Sequence, residues 1–212
     1  MTPIRAVIFD CDGVMFDSRE ANRAFYNAVL AHFARPPLTE EQMAFAHQST
    51  AGEALEMLFG RGRDLEAARA YCRELTYFPF IPLMLPEPHL KGLLSRIRPA
   101  FATGISTNRT DTMPHVLAHH GLEGLFGCVV TALDVPRPKP HPDCLVKAAS
   151  LLGFDVGEAV YVGDSPVDEQ AAAAAEMPFA AFGNPALKAA WHLTRLDQVE
   201  DILAEHGLPA VA

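Results

Sequence analysis

Residues 5–14 read Arg5-Ala6-Val7-Ile8-Phe9-Asp10-Cys11-Asp12-Gly13-Val14, and this stretch decides the fold class. From Arg5 to Phe9 the run is short, β-branched or aromatic, and almost continuously apolar, the pattern of a strand buried on both faces. Such a strand belongs in the middle of its sheet. The acids and the glycine behind it end the strand and place charge at its carboxyl end.

Three further runs share this character: residues 100–106 (AFATGIS), 128–131 (CVVT) and 159–162 (AVYV), with a weaker fifth at 179–182 (FAAF). Helical segments lie between them. Pro142 to Leu152 carries proline in its first turn and Gly153 behind its last apolar residue. Ser165-Pro166-Val167-Asp168 offers an N-cap, a proline at the first helical position and an acid at the third. Strand and helix in alternation imply an α/β fold with a parallel sheet. Residues 17–88 break the alternation, with helical patterns at 19–34, 40–48, 53–58 and 65–77 and no convincing buried strand. A capping box is legible at Thr39-Glu40-Glu41-Gln42. The segment closes on residues 78–88, a proline-rich connector expected to be too stiff for a helix. The domain organisation expected is therefore a core of residues 1–16 and 89–212, with a helical unit of residues 17–88 inserted after the first strand.

The 212 residues are half apolar, enough for a substantial core. Lys and Arg number 17 against 26 Asp and Glu, a net charge of −9, which disfavours any role resting on broad attraction to nucleic-acid phosphates or anionic lipid. Cys11, Cys72, Cys128 and Cys144 are dispersed, without CxxC or zinc-type spacing, and read as reduced core thiols. The start of the chain lacks the pattern of a cleaved leader, and no apolar run approaches a membrane span. A soluble cytoplasmic protein is expected, with no nucleic-acid or membrane partner.

Chemistry-bearing residues follow the strands one by one: Asp10 and Asp12 after the first, Thr107 and Asn108 after the second, Lys139 after the third, Asp164 and Asp168 after the fourth. In open parallel sheets that edge is where ligands bind. Asp10 and Asp12, two apart, should project in a similar direction and repel. At an effective dielectric of about 20, two charges ~4 Å apart interact by roughly 4 kcal/mol, so adding Asp164 calls for protonation or a cation. Hard oxygen ligands beside a phosphate favour Mg²⁺. Lys139 supplies a compact positive charge, Thr107 a hydroxyl, and the backbone N–H groups around Thr107 and Asn108 suit phosphate oxygens at the mouth of the next helix, expected to start near Thr110 or Asp111. Each has a plainer reading beside it: Asp168 as a helix cap, Asp12 as a turn residue, Thr107 and Asn108 as caps, Lys139 as a loop lysine.

The segments FDCDGV (residues 9–14), STN (106–108), KPHPD (139–143) and VGDSPVDEQAA (162–172) resemble, in order, the four signature motifs of the haloacid dehalogenase-like hydrolases. The insertion is similar to the small C1-type helical cap of the phosphoglycolate phosphatase and β-phosphoglucomutase branch. The resemblance implies a Rossmann-like three-layer sandwich with a small α-helical cap domain, and a Mg²⁺-dependent phosphatase of a small phosphorylated metabolite, phosphoglycolate phosphatase-like, monomeric or homodimeric. It implies that Asp10 forms an aspartyl-phosphate and that Asp12 protonates the leaving oxygen and later activates water. Thr107, Asn108 and Lys139 would bind the phosphoryl group. Asp10, the backbone carbonyl of Asp12, and Asp164 would hold Mg²⁺, with Asp168 behind them orienting metal waters or Lys139.

Within that family, Asp12 argues against dehalogenation, which needs no acid for an alkoxide leaving group. The absence of lysine from residues 17–88 argues against Schiff-base C–P cleavage. A sugar-phosphate mutase, β-phosphoglucomutase-like, shares all four motifs, but its branch carries histidine where this chain has Asn22. Receiver domains of signalling proteins place their acidic pair before the phosphorylated aspartate, whereas here the GDxxxD acids come last. A non-catalytic phospho-ligand binder would be expected to have lost Asp10, Asp12 or Lys139. Substrate choice is expected to rest on cap residues, with Arg19, Asn22, His47, Arg61 and Arg63 as candidates.

Overall fold

The computed structural model describes residues 2–98 and 100–208. Its strands are β1 (Ala6–Phe9), β2 (Phe16–Asp17), β3 (Leu85–Pro86), β4 (Ala102–Ser106), β5 (Cys128–Val130), β6 (Ala159–Gly163), β7 (Phe179–Phe182) and β8 (Trp191–Leu193). Six of them form one parallel sheet in the order β5-β4-β1-β6-β7-β8. β1 is central, as its uninterrupted apolar run requires. From β1 the chain builds outward through β4 to β5, then returns to lay β6 on the other side of β1. The order therefore reverses beside β1, the position where parallel sheets open a crevice at their carboxyl ends.

The chain forms two compact units, one comprising residues through Phe16 and from Pro86 onward, the other Asp17–Leu85. The return to the first unit comes at Pro86, three residues before the boundary expected from sequence. β2 and β3 pair with each other as a two-stranded ribbon at the two chain crossings between units. The inserted unit contains α1 (Arg19–His32), α2 (Glu40–Gln48), α3 (Ala51–Phe59) and α4 (Arg63–Leu75). The Thr39 capping box closes as read, with Gln42 reciprocating, and Thr50 with Glu53 makes a second one that starts α3 two residues ahead of expectation. α1 stops short of residue 34, where Ala34 turns to a positive φ of 52°. Phe25, Tyr26, Val29, Met43, Leu55, Leu58 and Phe59 form this unit's own apolar core. One expectation fails here: residues 78–83 are helical, as a 3-10 turn. Pro79 in its first turn costs nothing, because that N–H would have no partner within a helix, whereas Pro82 stands inside the segment and leaves one bond of it unmade.

In the first unit the helices are α5 (Leu90–Ile97), α6 (Met113–His120), α7 (Asp143–Leu152), α8 (Pro166–Ala175) and α9 (Val199–His206). α7 and α8 cover one face of the sheet, where Leu145, Ala148, Ala149, Ala171, Ala172 and Ala175 pack on Ala6, Ile8, Val130, Tyr161 and Phe179. The alanine run lets α8 lie close to the strands. The alternate residues Val7, Phe9, Val160, Val162 and Ala180 are buried too, so the central strands are covered on both faces. α5 and α9 join through a forked Arg96–Glu200 pair at 2.8 and 2.9 Å. Among the described residues no helix is long and apolar enough to cross a membrane.

Leu145 is fully buried between α7 and the sheet. Leu145→Ala should lower the unfolding free energy by about 2–5 kcal/mol, read as a lower denaturant midpoint at unchanged m-value. A midpoint equal to that of the unsubstituted protein would show that this helix does not seal the sheet.

Candidate active site

Asp10 follows β1 directly, and its backbone N–H donates to the Val162 carbonyl at 2.9 Å, which extends the sheet pairing to the edge of the crevice. The chain then doubles back: the N–H groups of Met15 and Phe16 both donate to the Cys11 carbonyl, and Gly13 takes a φ of +81°. A side chain at Gly13 would meet a second obstacle, because its Cβ would fall on the Asp164 carboxylate. Glycine is thus required twice over, by conformation and by space, and its bareness lets Asp164 lie across the turn.

Lys139 lies behind Asp10. Its ammonium group is buried, and it donates to Asp10 Oδ1 at 2.9 Å, Asp168 Oδ1 at 2.7 Å and the Tyr161 hydroxyl at 2.8 Å. Three N–H groups meet three close acceptors. The Tyr161 hydroxyl passes its own hydrogen to Asp168 Oδ1 at 2.7 Å. The other Asp168 oxygen accepts from the Ser165 hydroxyl at 2.6 Å and the Ser165 N–H at 3.1 Å. Asp168 therefore fills both of the roles its position allowed, as the third residue of a capping box and as a partner of Lys139.

The electrostatics follow from burial and from the charge count. Burial pushes Asp10 up to about 7, with Lys139 pulling the other way and Asp168 and Asp12 adding to the rise. Burial also pushes Asp164 up to about 8, helped by Asp168 and Asp10. In Asp168 burial is outweighed by the Lys139 charge and by hydrogen bonds, and the group is held below the ordinary aspartate value. When all four are ionised, Asp10, Asp12, Asp164 and Asp168 face the cations Lys139 and Arg109 with an excess of two negative charges, which is why Asp10 and Asp164 give up their protons late. Carboxylate oxygens of Asp10, Asp164 and Asp168 lie within 4.8 Å of one another. Because Asp168 already serves Lys139 and Ser165, Asp10 and Asp164 are the carboxylates best able to hold a hard divalent cation.

Asp12 is directed elsewhere. Arg109 Nε donates to Asp12 Oδ2 and Nη2 to Oδ1, each at 2.7 Å, in a fork of two parallel bonds. Thr107 is buried, and its hydroxyl oxygen accepts the Arg109 N–H at 3.1 Å, leaving the hydroxyl hydrogen to donate. The Thr107 N–H is committed to the Val130 carbonyl, and α6 begins only at Met113, so neither Thr107 nor Asn108 caps the next helix as their sequence positions suggested. The Asn108 side chain pairs with the Lys139 main chain, donating to its carbonyl and accepting from its N–H, both at 3.0 Å. It fixes the loop that carries the lysine. Cys11 is buried, and burial followed by the Asp12 charge pushes its thiol well up, as suits a spacer.

Of the five residues proposed for substrate choice, the inserted unit brings two together. The Asn22 and His47 side chains approach to 3.4 Å (Nδ2 to Nδ1), and Asn22 Oδ1 also accepts the Tyr77 hydroxyl at 2.6 Å. Arg19, Arg61 and Arg63 are exposed on that unit, with Arg61 paired to Glu56. Sequence reasoning missed Tyr161, Arg109 and Tyr77. A tyrosine inside a fully buried strand was the available signal, since its hydroxyl must find a partner.

Two outcomes follow from this geometry. Tyr161→Phe leaves a buried Lys139 N–H without its acceptor and should cost about 1–3 kcal/mol of stability, measured by denaturant unfolding. For Asp10 and Asp164, folded values above that of an unfolded aspartate mean that the native state holds protons which the unfolded chain releases. Their contribution to stability is complete below about pH 4 and is lost as pH rises through about 7 and about 8. In the presence of a chelator the melting temperature should fall across that interval, and a divalent cation should restore it most at the alkaline end. An equal effect of cation at pH 5 and pH 9 would count against a carboxylate-held ion.

Comparison with known proteins bears on the same residues. A family model described as haloacid dehalogenase-like hydrolase matches residues 7–182. Hexitol phosphatase A of Escherichia coli is 31% identical, over 98% of this chain and 93% of that protein. A phosphoglycolate phosphatase of Xanthomonas campestris is also 31% identical, over 82% of this chain and 80% of its own length. Among solved structures, a haloacid dehalogenase-superfamily hydrolase from Geobacter sulfurreducens superposes with a TM-score of 0.79 at 39% identity, covering 94% of this chain and 96% of that one. The β-phosphoglucomutase of Clostridium difficile shares the fold, with a TM-score of 0.83 at 21% identity, over 96% and 97% of the two chains. The family match runs from within the strand that leads to Asp10 to the end of the strand beyond Asp168, so that every core residue of the site lies inside it, and the chain belongs to the haloacid dehalogenase-like hydrolases.

Proposed function

We propose that the protein is a Mg²⁺-dependent phosphatase of small phosphate monoesters, working through a phosphoryl-aspartate on Asp10. The observation that carries this reading is the division of labour between two acids two residues apart. Asp10 faces Lys139 and the Asp164 cluster, while Asp12 is held apart by Arg109. One site thus holds a nucleophile beside a cation-binding cluster and a separate carboxylate for moving protons.

In the first step an Asp10 oxygen forms a bond to phosphorus as the bond to the leaving oxygen breaks, and Asp12, which enters this step protonated, delivers its proton to that oxygen and is left as the carboxylate. The Thr107 hydroxyl and the Asn108 backbone N–H bind the phosphoryl oxygens, and the Lys139 charge, held beside Asp10, offsets the charge on them. In the second step Asp12 takes a proton from water, whose oxygen bonds to phosphorus as the bond to Asp10 breaks, and inorganic phosphate leaves. A divalent cation on Asp10, Asp164 and the Asp12 backbone carbonyl would offset phosphoryl charge, and the hard oxygen donors support Mg²⁺. The phosphatase names of the relatives support phosphoglycolate or a hexitol phosphate as the first substrates to try. Asn22, engaged with His47 and Tyr77, supports hydrolysis over the mutase branch, where histidine stands at that place.

The test is phosphate release from para-nitrophenyl phosphate, 2-phosphoglycolate, hexitol phosphates and β-glucose 1-phosphate, with Mg²⁺ or a chelator. Turnover should require the metal, and Asp10→Asn should reduce it by roughly three orders of magnitude or more. Conversion of glucose 1-phosphate to its 6-phosphate without net phosphate release would replace the phosphatase with a mutase. A folded protein inert on every compound would sink both.

A further inference from the structure

Arg109 follows the Thr107-Asn108 pair, and its side chain is only 8% exposed against 16% for Asp12. Its contacts tie together the two loops that carry the reaction. Nε and Nη2 hold the two Asp12 oxygens, and Nη1 lies 3.4 Å from the Thr112 hydroxyl at the start of α6. The Arg109 N–H donates to the Thr107 hydroxyl oxygen, and its carbonyl accepts from Ala132 N–H at 3.0 Å, beyond β5. An arginine anchored at both its main chain and its guanidinium presents a rigid fork.

We propose that Arg109 is the positioning residue of Asp12, and that it serves hydrolysis of the phosphoryl-aspartate more than its formation. This rests on the phosphatase reading above. An aspartate side chain has two free torsions, and two parallel charge-assisted bonds remove both. The two half-reactions need that order unequally. When the phosphoryl-aspartate forms, the substrate's leaving oxygen is brought to Asp12 by the groups that bind its phosphate. When it is hydrolysed, the reactant is a single water with no such tether, and only the carboxylate that takes its proton aligns it with phosphorus. With two of its guanidinium nitrogens committed to the Asp12 oxygens, Arg109 acts through that carboxylate. Lysine, a point charge without the fork, cannot reproduce the geometry.

The test uses para-nitrophenyl phosphate with Mg²⁺, whose leaving group departs without a proton, so that Asp12 matters only for the second half-reaction. Arg109→Gln should lower kcat by about 10–100-fold, with KM falling in proportion and kcat/KM near that of the unsubstituted enzyme. Intact mass after acid quenching during turnover should show most of the variant carrying one phosphoryl group. Arg109→Lys should behave likewise to a smaller degree and keeps the experiment decisive where the glutamine variant fails to fold. In a double-mutant cycle Arg109→Gln should add little to Asp12→Asn, because it acts through that carboxylate. Additive losses, or lost kcat without accumulated phosphoenzyme, overturn the proposal while leaving the phosphatase intact. An unsubstituted enzyme that neither releases phosphate nor forms the adduct overturns the phosphatase reading and this proposal together.

Discussion

A buried ammonium group is costly unless carboxylates and hydrogen-bond acceptors surround it, and Lys139 is surrounded on every N–H. The architecture converges on meeting that requirement. β1 brings Asp10, β6 brings Tyr161, and the first turn of α8 brings Asp168. The Asn108 amide, at the end of β4, fixes the backbone of Lys139 itself. Parallel pairing of β1 with β6 sets Phe9 opposite Val162, so that Asp10 and Asp164 emerge at neighbouring strand ends. None of these groups is adjacent in sequence to the lysine they serve. The sheet register is what turns scattered polar residues into one network.

The same network explains how two acids separated by one residue acquire different environments. Repulsion between Asp10 and Asp12 persists, and Asp12 still contributes to the rise at Asp10. The turn after β1 sends one carboxylate to a buried lysine and the other to an arginine. Two titratable groups whose partners differ in this way are suited to different tasks. With all four carboxylates ionised the cluster carries more negative charge than its cations offset, which the raised values of Asp10 and Asp164 express and a divalent ion would relieve.

The sheet, its central strand, the ends of α7 and the start of α8 were legible because each is written in a short local pattern: an apolar run, a proline at a helix start, a glycine behind a helix end. The motif acids were legible for the same reason. What escaped depends on contacts distant in sequence. Tyr161 looks like one more apolar strand residue until the helix that faces it is known. Arg109 carries no local mark, since its partner Asp12 is 97 positions away. β8 is too short and half polar to stand out, and it exists because β7 offers it an edge. The 3-10 turn at Phe78–Leu83 was misread because proline was taken to forbid any helix, although a first turn accepts Pro79 and so short a segment forms even with Pro82 inside it.

The insertion leaves the first unit through one strand of a two-stranded ribbon and returns through the other, so its two ends lie side by side. A segment with adjoining ends behaves as a cassette. Its length and contents can change in descent without disturbing the register of the sheet, because the gap it must bridge is already closed by backbone hydrogen bonds. Asp10, Asp12, Arg109, Thr107, Lys139, Asp164 and Asp168 all lie outside it. The residues of the site and the inserted segment are thereby separable parts of the chain, so that a change of length within the segment leaves the sheet register, and with it the placement of Asp10, Lys139 and Asp164, as it stands.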